Sequence, residues 1–342
     1  MKRVILLGVT MAFVFVCLVG AGVKAVKAET IELKMAHFMP PMHIQHQKSF
    51  VPFAQNVEKL SNGKVKIKIY SGGALGGPKQ LADAVRTGIT DIAFIIPSYT
   101  TGRFPRTSVF DLPFLFDNAV HATNGIYDMY DKYLAEDYKD YKVLWLYSFG
   151  AGQLHSVTKP VHTIDDLKGM KIRSGTAYMS KALELLGANP VGMPVSKLSI
   201  SLQKKVIDGV LTPYCAAVDF KLLDLLKYVT QADIYVSPMA VVMNKEKFDS
   251  LPEFAQKAID DASGKKWGLH AALVYDRHDK NAVSKMEEQG KIKIYRLPDS
   301  EKLKFVNVLK PLKEDWVKEM SEKGLPAREM LDVVHIAAEK NK

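Results

Sequence analysis

Two stretches of this chain repeat one order of elements, and that order narrows the fold to a few α/β architectures. Residues 31–37 alternate apolar and polar as a strand does. Residues 46–60 carry Phe50, Phe53, Ala54, Val57 and Leu60 at helical spacing, and 65–70 alternate again. A short helix at 79–86 and an apolar run at 91–96 complete the unit, which Pro97 closes. The second copy has a strand ending at Arg173, a helix at 176–186, a strand at 189–193, a helix at 196–205 and a strand at 208–212 that Pro213 closes. Asp91 and Asp208 fall at the same place in the two copies. Strand–helix–strand crossovers are right-handed. The pattern therefore predicts two similar α/β lobes, each a mixed sheet flanked by helices.

The joints lie between and after the copies. The glycine pair of Phe149-Gly150-Ala151-Gly152 marks a crossing into the second lobe, and the apolar strand at 240–243 implies a return near Ser237. Between Pro252 and Pro298 there is no proline, and the glycines before Gly290 are Gly264 and Gly268, so one helix over about 252–289, kinked there, is expected. At about 1.5 Å per residue it would exceed roughly 50 Å, longer than one domain is wide, and so should span both lobes. A strand at 291–297 and helices from 300 to about 323 and from 328 onward end the chain. The expected boundaries are a leader at 1–28, a first lobe at 29–150 plus about 238–275, and a second at 151–237 plus about 276–342 with the C-terminal helices.

The leader has a basic start, Met1-Lys2-Arg3, an apolar run from Val4 to Val23 and Val26-Lys27-Ala28 before the cut. It reads as a secretory signal removed after Ala28, with export to the periplasm. The run is also long enough to span a membrane, so a retained anchor stands as the rival. Without Lys2, Arg3, Lys24 and Lys27 the formal charge of +10 falls to +6. That mild excess favours anionic ligands. The basic residues are scattered, with no stripe and no aromatic interleaving, which excludes a nucleic-acid surface. Beyond the leader Cys215 stands alone, so an internal disulfide is excluded, and a lone cysteine of this kind reads as packing.

Arg173 ends the strand of the stretch DDLKGMKIRSG at 165–175 and precedes a Thr-capped helix. Ligands of open α/β sheets bind at carboxyl strand ends. The planar fork of a guanidinium there suits a carboxylate; an internal acid could equally claim it. Tyr99, Thr100 and Arg103 follow the strand at 91–96, and Thr212 and Tyr214 follow the strand at 208–212. Each tyrosine alone reads as packing with its hydroxyl in water. Together, on lobes that face each other, these groups converge on one cleft with Arg173. His37 sits at a strand end and would line that cleft, whereas the group His37, His43 and His46 lacks nearby carboxylates and does not suggest a metal. The run Gly72-Gly73-Ala74-Leu75-Gly76-Gly77 lacks the Gly-Lys-Ser/Thr ending of a phosphate loop and reads as backbone packed on its neighbouring helix. HExxH, CxxC, GxSxG and Walker patterns are absent. No catalytic residue, metal or cofactor is expected, and the competing class is a two-lobed α/β enzyme acting on a carboxylated small molecule.

Six motifs occur in order: SGGALG at 71–76, FDLPFLF at 110–116, DDLKGMKIR at 165–173, LGANPVGM at 186–193, VIDGVLTP at 206–213 and MNKEKFDSLP at 243–252. With them the chain resembles, over nearly all of its length past the leader, the substrate-binding proteins of tripartite ATP-independent periplasmic (TRAP) transporters, the DctP-type family. The resemblance implies a two-lobed periplasmic binding protein that closes over a small organic acid anion, with Arg173 pairing the carboxylate. It implies delivery to a membrane permease of a small and a large integral subunit, driven by an ion gradient and with no ATPase. Many relatives have an asparagine where this chain has Thr212, and Tyr214 follows the proline, which departs from the dicarboxylate and sialic-acid-like pattern. The loop His37-Phe38-Met39-Pro40-Pro41 and Tyr214 resemble a branch whose ligands are often monocarboxylates, some of them aromatic. Expected ligand contacts are Arg173, Thr212, Tyr214, His37, Phe38, Tyr99 and Thr100.

Overall fold

The computed structural model describes residues 30–342, so the leader lies outside the described residues. Eleven strands form two sheets. They are β1 (Ile31–Ala36), β2 (Val65–Tyr70), β3 (Ile92–Ile95), β4 (Tyr141–Ser148), β5 (Gln153–Ser156), β6 (Lys171–Ser174), β7 (Asn189–Gly192), β8 (Gly209–Thr212), β9 (Tyr228–Gln231), β10 (Pro238–Asn244) and β11 (Lys293–Arg296). The first sheet runs β2-β1-β3-β10-β4 and the second β11-β9-β5-β8-β6-β7. In each repeated unit the first strand lies between the other two and parallel to both. One antiparallel strand from the far side of the crossing then extends each sheet, β10 beside β3 and β5 beside β8.

The two aspartates that mark the repeat do the same work. Asp91 Oδ2 accepts the backbone N–H of Lys34 at 2.7 Å, and Asp208 Oδ2 accepts that of Lys171 at 2.9 Å. Each carboxylate ties the start of its third strand to the first strand beside it, which fixes register. The crossings at 149–152 and 232–237 bond to each other, Gly152 N to Tyr235 O at 2.7 Å and Ile234 N to Gly152 O at 3.0 Å. Gly152 is required here because a Cβ would overlap the Tyr235 ring.

The spanning helix differs from the expected single rod. It is Gly264–Gln289, and a separate helix, Glu253–Asp261, precedes it. Gly264, at φ +80°, sets the break, since a left-handed residue cannot continue a right-handed helix. The long helix touches both lobes. Asp276 accepts the N–H groups of Ala119 and Val120 at 2.8 and 3.0 Å, at the start of the first-lobe helix Ala119–Met129. One turn on, Asp279 accepts that of Cys215 at 2.6 Å, at the start of the second-lobe helix Tyr214–Asp219. Their oxygens satisfy N–H groups that the two helix starts would otherwise leave unpaired. The last helix, Ala327–Lys340, returns to the first lobe rather than staying on the second: Ala338 O accepts from His121 Nε2 at 2.7 Å, and Lys132 pairs with Glu329. A turn, rather than the expected helix, occupies 220–226, where Lys221 has φ +56°.

Candidate ligand-binding site

The carboxyl ends of β3, β6 and β8 meet at a cavity between the lobes, with about 560 Å³ of atom-free space, part of it open to solvent. Arg173 lies in its wall and is 2% exposed. Nε donates to Met193 O at 2.8 Å and Nη2 to the Tyr99 hydroxyl at 3.0 Å. Among the described residues no carboxylate pairs with it. Gly175 permits this placement, because a Cβ there would come within 3.1 Å of Nη2. A buried cation without a counter-charge is unfavourable unless something supplies one. The site is built to receive an anion.

Tyr99 arrives from the other lobe, on the 3-10 turn Pro97–Tyr99 that follows β3. Its oxygen also accepts the Val195 N–H at 3.2 Å. With both acceptor positions used across the lobe boundary, its own O–H is left to donate into the cavity. Elsewhere the walls are mainly apolar and aromatic. Phe38 packs on Phe94 and Tyr99, with ring centres 5.5 and 6.4 Å apart, and Phe149 meets Tyr235 edge-on at 5.5 Å. Thr176 faces the cavity, but its hydroxyl is committed to capping, accepting from Met179 N at 3.1 Å. Ser237 is committed too, donating to Asp111 at 2.5 Å. Burial raises the Asp111 carboxyl to about 6 even though Ser237 and Ser98 both donate to it.

Of the residues expected to touch ligand, Arg173, Thr212, Phe38 and Tyr99 line the cavity, and His37, Thr100 and Tyr214 do not. His37 is fully buried behind the wall, 2.9 Å from His46 and against Phe50, and burial lowers its imidazole to about 3. Thr100 ends the 3-10 turn by donating its N–H to Pro97 O. Tyr214 is the first residue of its helix, so the next two residues, Cys215 and Ala216, face the cavity while Tyr214 lines a separate cleft with Gly150 and Asp279. The glycine-rich run packs on the start of its neighbouring helix, Leu81–Arg86, with Gly76 against Gln80 and Leu81 and Gly77 N donating to Gln80 Oε1 at 2.7 Å, and it also backs the site. Gly72 N donates to Met39 O and Gly73 N to His37 O, which holds the loop that presents Phe38 and Met39.

A family model described as "Bacterial extracellular solute-binding protein, family 7" (DctP) matches residues 35–320. The chain belongs to that family. Solved structures agree. A TRAP solute-binding protein from a marine metagenome, described as specific for aromatic acid ligands and solved with metahydroxyphenylacetate, is 33% identical, with TM-score 0.88 over 91% of this chain and 99% of that one. One from Rhodoferax ferrireducens, solved with copurified benzoate, is 31% identical, with TM-score 0.88 over 91% and 98%. The 2,3-diketo-L-gulonate-binding periplasmic protein of Escherichia coli is 28% identical over 246 residues, 70% of this chain and 73% of its own. As a TRAP solute-binding protein this chain binds rather than transforms its solute, and the two-lobed enzyme is set aside on that ground.

The wall residues that the sequence left unmarked come from segments with no strand-end signature. His43 and Met39 lie in the proline-rich loop, and Phe220 caps the helix Tyr214–Asp219 just before Lys221. Tyr275 lies on the spanning helix. A search for aromatics within a few residues of each crossing would have found Phe149 and Tyr235.

Proposed function

We propose that this protein captures a small aromatic monocarboxylate between its lobes and hands it to a TRAP permease of two integral subunits. The observation that carries the reading is the buried Arg173 guanidinium, without a carboxylate partner among the described residues, at one wall of a cavity otherwise mainly apolar and aromatic. One fixed cation suits one carboxylate, and the aromatic walls suit a ring. Dicarboxylates and sugar acids would leave polar groups facing Phe38, Phe94 and Phe149, which is costly. The aromatic acids in the two solved relatives support the same class, as does the mandelate bound to a Bordetella bronchiseptica TRAP protein at 28% identity and TM-score 0.84. Arg173, Tyr99, Thr212 and Phe38 are the proposed contacts. Arg173 and Tyr99 donate to the carboxylate from opposite lobes, so ligand favours the closed state by bonding to both. Residues 1–28 serve as the leader, cleaved after Ala28 on export to the periplasm.

Thermal shift with benzoate, 3-hydroxybenzoate, mandelate, succinate and galactonate tests this. The aromatic acids should raise Tm by several degrees, consistent with about 2–4 kcal/mol at ligand well above Kd, and be recovered unchanged. A shift with succinate or galactonate and none with the aromatic acids would overturn the reading.

A further inference from the structure

A second polar cluster lies at the cavity, away from Arg173. His43 lines the wall and comes from the first-lobe loop. Gln45 N donates to its Nδ1 at 3.2 Å, so the proton of the neutral ring sits on Nε2. Nε2 lies 3.4 Å from Oδ2 of Asp219, at the end of the second-lobe helix Tyr214–Asp219. Oδ1 of the same carboxylate is 3.1 Å from Nε2 of His278 on the spanning helix. One carboxylate thus joins both lobes and the helix that spans them. His43 and Asp219 are 3% and 4% exposed.

Two features give this junction a role beyond packing. Asp219 Oδ2 is buried yet has no hydrogen bond of full geometry, and 3.4 Å is about half an ångström longer than a normal N–H···O bond. Drawing the lobes slightly closer would complete it. Both partners are also moored to one helix: Gln45 Nε2 donates to Ala271 O at 2.8 Å, and the N-terminus of the Asp219 helix is held by Asp279. His43 meets the rings of Phe220 and Tyr275 edge-on, at 5.6 and 6.2 Å. All three rings line the cavity and none bonds to Arg173. They are therefore wall left for the rest of an acid whose carboxylate sits at Arg173.

We propose that Asp219 is a positioning residue that seats His43 as the floor of the closed cavity, and that this floor limits the length of the acid accepted. The limit rests on the aromatic-monocarboxylate reading above. A single-ring acid such as benzoate lets the lobes close until the His43–Asp219 bond is complete. A longer acid such as 4-phenylbutyrate presses on His43 and holds that bond open.

The test is calorimetry of wild type, Asp219→Asn and His43→Ala with benzoate and 4-phenylbutyrate. It is paired with nitrogen-15 NMR of the histidine rings in the ligand-free protein. Asp219→Asn keeps shape and one acceptor, so it guards against a variant that fails to fold. Wild type should prefer benzoate by at least about tenfold, the scale of methylenes a closed pocket rejects. That ratio should fall at least roughly fivefold in either variant. The His43 ring signals should show the Nε2-protonated form in wild type and move in Asp219→Asn. Equal weakening of both acids, or no change in the ratio, would overturn the length limit. Unmoved His43 signals would overturn the junction. Failure of wild type to bind either acid would count against the aromatic reading and end the length limit with it, while the ring signals would still decide the junction.

Discussion

Arg173 could have been a structural arginine, and its hydrogen bonds tell against that role. They run to a carbonyl and to a phenol, not to an acid. The partnered arginines differ: Arg103 meets Asp83 and Arg106 meets Asp137, both as ion pairs. Because the fork geometry matters as well as the charge, Arg173→Lys should keep the fold and lose most of the affinity for benzoate, at least about tenfold by titration calorimetry. Tyr99→Phe is the subtler change. It keeps the ring against Phe38 but removes the oxygen that Arg173 and Val195 share across the lobes. The loss should be about 1–2 kcal/mol, roughly five- to thirtyfold in Kd. It should appear mainly as faster ligand release in stopped-flow fluorescence, since closure holds the ligand. Both residues were legible in the sequence because each sits at the carboxyl end of a strand, Arg173 within β6 and Tyr99 just after β3. Tyr214 carried the same signature. It lines the neighbouring cleft instead, because a helix begins on it and turns its side chain off the cavity wall.

The elements that join the two sides of the site are the two crossings and the spanning helix. Gly152 pairs with Tyr235 in the hinge, and Tyr235 lines the cavity. Gly152→Ala should therefore cost about 1–3 kcal/mol of stability, read as a lower urea midpoint, and should weaken benzoate binding as the displaced ring narrows the cavity. The repeated strand–helix–strand unit was readable down to Asp91 and Asp208, because a carboxylate tying neighbouring strands recurs with the register it fixes. The strand β9 and the break before Gly264 were not. β9 is four residues whose partners, β5 and β11, lie far off in sequence, and a single glycine inside a helical pattern does not announce its sign of φ. The placement of Asp276 and Asp279 at two helix N-termini likewise depends on tertiary packing that no local pattern encodes.

Over the whole molecule, buried titratable groups set the pH range. Burial lowers His37 to about 3 and both His43 and His155 to about 4. The unfolded chain takes up these protons near 6.5, so the stability they contribute is full above that pH and is lost as pH falls toward 4. Burial raises Asp111 to about 6 and Asp279 to about 7, so the folded state keeps protons that the unfolded chain releases, and their contribution grows as pH falls from 7. Burial also lowers His46 and His335 and raises Asp137 and Asp276, so five histidines oppose four carboxyls, and stability should fall as pH drops from roughly 6 to 5. Asp279→Asn removes one opposing carboxyl and should make the fall steeper, which calorimetric unfolding across that range would show. The proposed function ties these scales together through an anion that would draw two lobes onto one guanidinium. Titration calorimetry of benzoate into wild type and Arg173→Ala, with Tm of both ligand-free proteins, tests that directly. We predict a loss of about 2–5 kcal/mol in binding, roughly a hundredfold or more, with ligand-free Tm nearly unchanged. Wild-type affinity in Arg173→Ala, or a loss of Tm matching the loss of affinity, would contradict it.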